Sequence, residues 1–198
     1  MSDQILWFAT RGAGTVSTIM LTASVCLGLV TVGRFQAAGW PRFFNMELHR
    51  RVSLLAVVFL VVHVLTAILD PFTKLGIGAA LVPLASSYRP LPVALGVVSM
   101  YLFVAVMVTS LLRQRVGQRA WRLIHWSSYL MWPTAILHGV FAGTDAFAIW
   151  MLVVDAVCLG AVAMSLAWRI DAGSPNRDSL ASIVAASSWR PAGRRDGR

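Results

Sequence analysis

Read only for hydrophobic and polar positions, the chain is five long apolar runs separated by short stretches where charge, glycine and proline collect. Each run approaches the ~20 residues a helix needs to cross ~30 Å of hydrocarbon, and none alternates polar with apolar as a half-buried strand would. The pattern predicts spans over about 12–32, 48–70, 92–112, 120–142 and 146–168. Trp7 and Phe8 precede the first as interfacial aromatics, and Gly14, Ser17, Thr18, Thr22, Ala23, Ser24 and Gly28 within it suit close helix packing in lipid. That run has no clear small-residue cleavage site, so it reads as a retained span and not as a signal peptide. Gly39, Trp40 and Pro41 mark a turn before the second run, and Pro71 ends it. Residues 72–90, broken by Gly76, Gly78, Pro83 and Pro90, predict an external loop carrying a short interfacial helix. From Arg169 onward the chain is rich in Ser, Ala, Gly and Arg, with at most a weak surface helix over 179–189. The fold class expected is therefore all-α: a polytopic membrane bundle over 1–170 and a basic, mostly disordered cytoplasmic tail over 171–198.

Composition agrees with the pattern. The 198 residues are 58% hydrophobic and 13% charged, against about a quarter charged in soluble domains. The net charge of +9 changes the picture only through where it sits. Arg34, Arg42, Arg50 and Arg51 lie between runs one and two, Arg113, Arg115, Arg119 and Arg122 between three and four, and Arg169 opens the tail. The other side holds only Arg11, Lys74 and Arg89. Such alternation is a topology signal, not a nucleic-acid footprint, and it predicts five spans with the N-terminus out and the C-terminus in. Cys26 and Cys158 both fall inside apolar runs, so no disulfide framework or CxxC site is implied.

The candidate chemistry is histidine. All four histidines stand in runs two and four: His49 and His63 in LHRRVSLLAVVFLVVHVLTAILD, His125 and His138 in WRLIHWSSYLMWPTAILHGVFAGTD. Ionisable groups inside spans are costly and report function more often than chance. In the predicted topology His49 and His125 lie near the inner face, and His63 and His138 further out. Asp70 and Asp145 each follow the outer histidine by seven residues, which sets the outer pair at matching depth. Fourteen residues along a helix give ~21 Å and return to within ~40° of the same face; thirteen give ~20 Å but point ~140° away. The second helix thus needs a distortion between its histidines, and Pro133 is the expected place for it. Two imidazoles at each level are the axial donor set of a b-type heme, so two hemes between helices two and four are expected. Arg50, Arg51 and Arg122 are the expected cations for the inner propionates, with Lys74 and Arg89 available to the outer ones.

The same two segments resemble the paired heme helices of the ferric reductase-like transmembrane domain family, which includes ferric reductases, NADPH oxidases and the heme subunit of the periplasmic methionine sulfoxide reductase system. The likeness covers roughly residues 10–170. It implies His49 and His125 as inner and His63 and His138 as outer ligands of heme iron. It also implies an electron-transfer subunit of an oxidoreductase in a membrane, expected here to be the bacterial inner membrane. Electrons would come from a separate reductase or from quinol and pass to ferric iron, oxygen or an extracytoplasmic acceptor protein. Many members carry a fused flavin and nicotinamide domain; this sequence has no Gly-rich phosphate loop, so a flavin would belong to a partner, and members often have six spans. The competing reading is a non-redox membrane protein, such as a metal-binding transporter or assembly factor, whose histidines hold a metal ion or one another. Asp155, in the middle of run five, reads as a neutral acid hydrogen-bonded to a neighbouring span, with a proton relay or quinone contact as the alternative. Trp126, Tyr129 and Trp132 read as packing, and Met131 and Met151 are not needed as ligands.

Overall fold

The computed structural model describes residues 2–32, 42–73 and 75–172, and these are almost entirely helical. The elements are α1 (Ser2–Val32), α2 (Arg42–Leu69), α3 (Gly76–Leu81), α4 (Pro90–Leu111), α5 (Arg113–Val116), α6 (Gln118–Trp126), α7 (Ser128–Ala142) and α8 (Ile149–Ala172). Lipid requires every backbone polar group to be satisfied within its own segment, which long helices do. Hydroxyl side chains follow the same rule by bonding back one turn: Thr15 to the Arg11 carbonyl at 2.9 Å, Thr22 to Thr18 at 2.8 Å, Ser53 to His49 at 2.7 Å. Proline marks the boundaries. Pro71 follows the end of α2, and Pro90 opens α4, where its missing donor is harmless.

Among the described residues four helices are long and apolar enough to cross a membrane: Gln4–Thr31, Phe43–Leu69, Pro90–Leu111 and Ile149–Asp171. One of the five expected spans is not among them. The fourth expected span is divided into α6, of 9 residues, and α7, of 15, which meet at Ser127. The distortion also lies six residues before its expected place: Pro133 sits inside α7 without ending it. At the joint the turn tightens. Ser127 donates from both its backbone N–H and its hydroxyl to the Ile124 carbonyl, at 3.0 and 2.6 Å, and Leu130 N–H reaches back only to Ser127, at 3.0 Å. Serine offers the backbone an alternative partner, which proline does not. α1 starts ten residues earlier than expected, so Arg11 lies within a helix. The interfacial helix expected in 72–90 is α3, whereas α5 was not foreseen. The tail helix expected over 179–189 falls outside the described residues.

α1 runs along α2 and α4 along α7; α1 also meets α7 and carries α8 on another face. α2, which carries His49 and His63, is not closely packed against α6, which carries His125, or against α7, which carries His138. Between them sits a core of Leu21, Ala56, Phe103, Met131, Trp132 and Cys158. Ala56, fully buried, is midway between His49 and His63 along α2, so the core is a layer separating two histidine levels. Trp132 Nε1–H ties this layer to α1 through the Thr22 hydroxyl at 2.9 Å, and the Ser99 hydroxyl donates to the Met131 carbonyl at 3.0 Å.

Candidate functional site

The four histidines meet in two pairs. His49 faces His125 with ring centroids 6.3 Å apart, and His63 faces His138 at 6.1 Å; the planes cross at 66° and 79°. We call these the first and second stations. They lie on either side of the core layer, fourteen residues apart along α2, or ~21 Å.

Three of the rings are held in one way. His63 Nδ1 lies 2.8 Å from the Thr10 carbonyl oxygen, His138 Nδ1 2.8 Å from that of Pro92, and His49 Nδ1 2.9 Å from that of Ser24. A carbonyl only accepts, so each Nδ1 carries the proton and each Nε2 keeps its lone pair for something else. In each case a glycine stands four residues after the bonded carbonyl: Gly14, Gly96 and Gly28. Helix side chains tilt toward the N-terminus, so the residue at that position would cover the carbonyl. A Cβ at Gly96 would lie 2.6 Å from His138 Nδ1, and one at Gly14 2.7 Å from His63 Nδ1; at Gly28 the nearest ring atom is 3.7 Å away. The first two glycines are notches that admit a ring, and the third leaves slack. Ser24 adds a second contact to His49, its hydroxyl 3.3 Å from Nδ1 and 2.7 Å from the Ser53 hydroxyl.

Surroundings differ between the stations. Two cavities of about 150 and 100 Å³ adjoin the second station, both lined by His63, His138 and Gly14. Arg11 lines the larger and is paired with Asp145, both side chains 18% exposed. Sequence reasoning used Arg11 only for topology; a cation one turn before a glycine at the head of an apolar run was the available signal. Arg89, by contrast, bonds the Phe141 and Gly143 carbonyls at 2.7 and 3.2 Å and so closes the C-terminal end of α7. Lys74 lies outside the described residues. Asp70 is buried and accepts the Phe72 N–H at 3.0 Å, a turn-forming role.

At the first station Arg50, Arg51 and Arg122 are exposed, and Arg51 is paired with Glu47 at 2.7 Å. Arg113, another residue that sequence reasoning assigned only to topology, reaches the rings through an aromatic stack. Its guanidinium sits 4.1 Å from the centroid of Trp121, which stacks on His125 at 5.0 Å and 26°. Among the weaker candidates, Trp126 is exposed, Tyr129 accepts a bond from Arg169 at 2.7 Å, and Met151 is buried 3.8 Å from the Thr15 hydroxyl. Asp155 is buried in α8, but its Oδ2 has no hydrogen-bond partner among the described residues, unlike the satisfied acid expected.

No group of three or more His, Cys, Asp or Glu side chains able to hold a metal ion occurs among the described residues. The donor sets are pairs. A pair of neutral imidazoles offers two nitrogen donors to one metal, and among the described residues no further His, Cys, Asp or Glu completes a group of three.

The sequence matches the family model described as ferric reductase like transmembrane component over residues 13–136, more than half of the chain. No curated protein and no solved structure matches it.

Proposed function

The chain belongs to the ferric reductase-like transmembrane component family, and from that premise we propose that it is a di-heme b-type cytochrome conducting electrons across a membrane. The observation that carries the reading is the pairing of imidazoles at two levels, 6.1 and 6.3 Å between centroids. The open packing between α2 and α7, the ring notches at Gly14 and Gly96, and Nδ1–H bonds that leave Nε2 free are all consistent with a planar group between each pair.

His49 and His125 would hold the first heme and His63 and His138 the second. Heme supplies a reversible one-electron couple when bound; the chain supplies position, potential and insulation. The carbonyl bonds of Thr10, Ser24 and Pro92 fix ring orientation and raise donor strength. Arg11 offers positive charge for propionates at the second station, while Arg50, Arg51, Arg113 and Arg122 offer it at the first. The apolar layer around Trp132 and Phe103 excludes water from the space between stations.

In this reading the first station lies at the inner face, beside the arginine-rich loops, and the second at the outer, and the membrane is a bacterial cell membrane. The donor is quinol or a separate reductase bearing flavin. The acceptor is ferric iron or an extracytoplasmic oxidoreductase, which makes the chain one subunit of a two-component system. A reduced-minus-oxidised visible spectrum of the purified protein tests this: b-type bands with two hemes per chain are expected. His63→Ala and His138→Ala should each remove about half the heme. A flat spectrum, or a full heme complement in both variants, rejects the assignment.

A further inference from the structure

Three histidines are anchored by the same device, and the fourth is not. α4 runs antiparallel to α7, so the register that sets His138 on the Pro92 carbonyl sets His125, thirteen residues earlier, opposite Ala105, thirteen residues later. Four residues past Ala105, where the other stations have glycine, stands Thr109. Its hydroxyl donates to the Ala105 carbonyl at 2.7 Å. His125 Nδ1 is buried and has no hydrogen-bond partner among the described residues. What touches the ring instead is the stack already described. Arg113 holds Trp121 from one side, fixed in turn by Gln118 Oε1 at 2.9 and 3.2 Å, and Trp121 Nε1–H reaches the Ser110 hydroxyl at 3.3 Å. The whole assembly rides on α5 and α6, ahead of the joint at Ser127.

Building on the heme reading above, we propose that the Arg113–Trp121 stack positions His125 in place of a main-chain hydrogen bond, making the first station the more weakly held and higher-potential of the two. An Nδ1–H bond to a carbonyl pushes electron density toward Nε2 and favours ferric iron. His49 has that bond and His125 does not, whereas both rings of the second station have it. Each station has an arginine beside it, Arg113 at the first and Arg11, paired with Asp145, at the second, so the missing carbonyl bond is what separates the two. Arg113, Trp121 and Thr109 are therefore positioning residues: they set the ring that would bind the metal without binding it themselves.

The test uses the full chain purified in detergent, with heme counted by pyridine hemochrome, low-spin signals followed by EPR, and potentials read by optical redox titration. Trp121→Ala should lower heme from two per chain to about one, with loss of the higher-potential wave and one EPR signal. Trp121→Phe, which keeps a stacking face, should retain both. Thr109→Gly frees the Ala105 carbonyl; it should shift the higher wave to lower potential and slow heme loss during detergent washing. Two hemes with an unshifted higher wave in Trp121→Ala overturn the proposal, as does selective loss of the lower wave. If Trp121→Ala loses both hemes, Thr109→Gly decides, and two unmoved waves there overturn it. A wild-type chain without heme removes the cytochrome reading itself, and this proposal with it; two hemes insensitive to these substitutions remove this proposal alone.

Discussion

α2 and the α6–α7 segment carry the same chemical pattern, two histidines about 20 Å apart, and solve it with different mechanics. In α2 the spacing of fourteen brings both rings to one face, so a single unbroken helix suffices and both rings find carbonyls on α1. In the other segment the spacing of thirteen cannot do this. The helix breaks at Ser127, the upper part keeps its anchor on α4, and the lower part leans on an aromatic stack. One residue of difference in spacing thus separates a rigid two-ring ladder from a jointed one. α1 and α2 share an invariant register: Thr10 with His63 and Ser24 with His49 are the same step fourteen residues apart on antiparallel helices.

Substitution at the notches gives the largest test of that contrast. Gly96→Ala places a Cβ within 2.9 Å of three atoms of the His138 ring and should expel it, removing the second-station heme, about half the total by hemochrome. Gly14→Ala meets two ring atoms of His63 under 3.0 Å and should act in the same direction but less completely. Unchanged heme in Gly96→Ala would show that the ring does not depend on the notch.

Arg11→Ala comes next. It leaves Asp145 without its partner beside the second station. Breaking a fully buried pair costs ~3–5 kcal/mol, and these side chains are part-exposed, so a loss of about 2 kcal/mol is expected in thermal or denaturant unfolding. The lower-potential wave should fall further, because a cation is removed; a change confined to the higher wave would place Arg11's influence at the wrong station.

Smaller again is Trp132→Phe, which removes one interhelical hydrogen bond, to Thr22, while keeping most of the packing. Such bonds in membrane proteins average ~0.6 kcal/mol, so a small fall in unfolding stability with heme retained at both stations is predicted. Loss of either heme would mean that the core layer does more than separate the stations.

The smallest effects are expected at Gly28 and Pro133. Gly28→Ala brings its Cβ no closer than 3.7 Å to His49, and Pro133→Ala leaves the Ser127 joint in place. Both variants should match wild type in heme content and EPR, while Ser127→Ala should perturb the first station only. If Pro133→Ala disturbs the first station and Ser127→Ala does not, the joint has been assigned to the wrong residue.

Much of this could be read before any coordinates. Four uninterrupted apolar runs became four helices of spanning length, since a hydrocarbon solvent leaves a twenty-residue apolar segment little choice but helix. The histidines were legible as a constellation because titratable residues in such runs are rare enough to be conspicuous. The position of the joint was not. Proline is the louder signal, but a serine whose hydroxyl competes for the Ile124 carbonyl has no distinctive mark in sequence.

Arg11 and Arg113 were hidden for a related reason. A charge near a span end looks like a topology signal until packing reveals what lies beside it. Gly14 was recognised only as a small residue suited to packing and Gly96 was not singled out, because a missing Cβ has no visible use until another helix sets a ring against it. What the sequence alone determined was the class of solvent, the helices and the four histidines set within them, all consequences of composition and local spacing. Which histidines meet, which nitrogen each leaves free and which ring lacks an anchor were decided by the register between helices far apart in sequence, and that register is a property of the packed bundle.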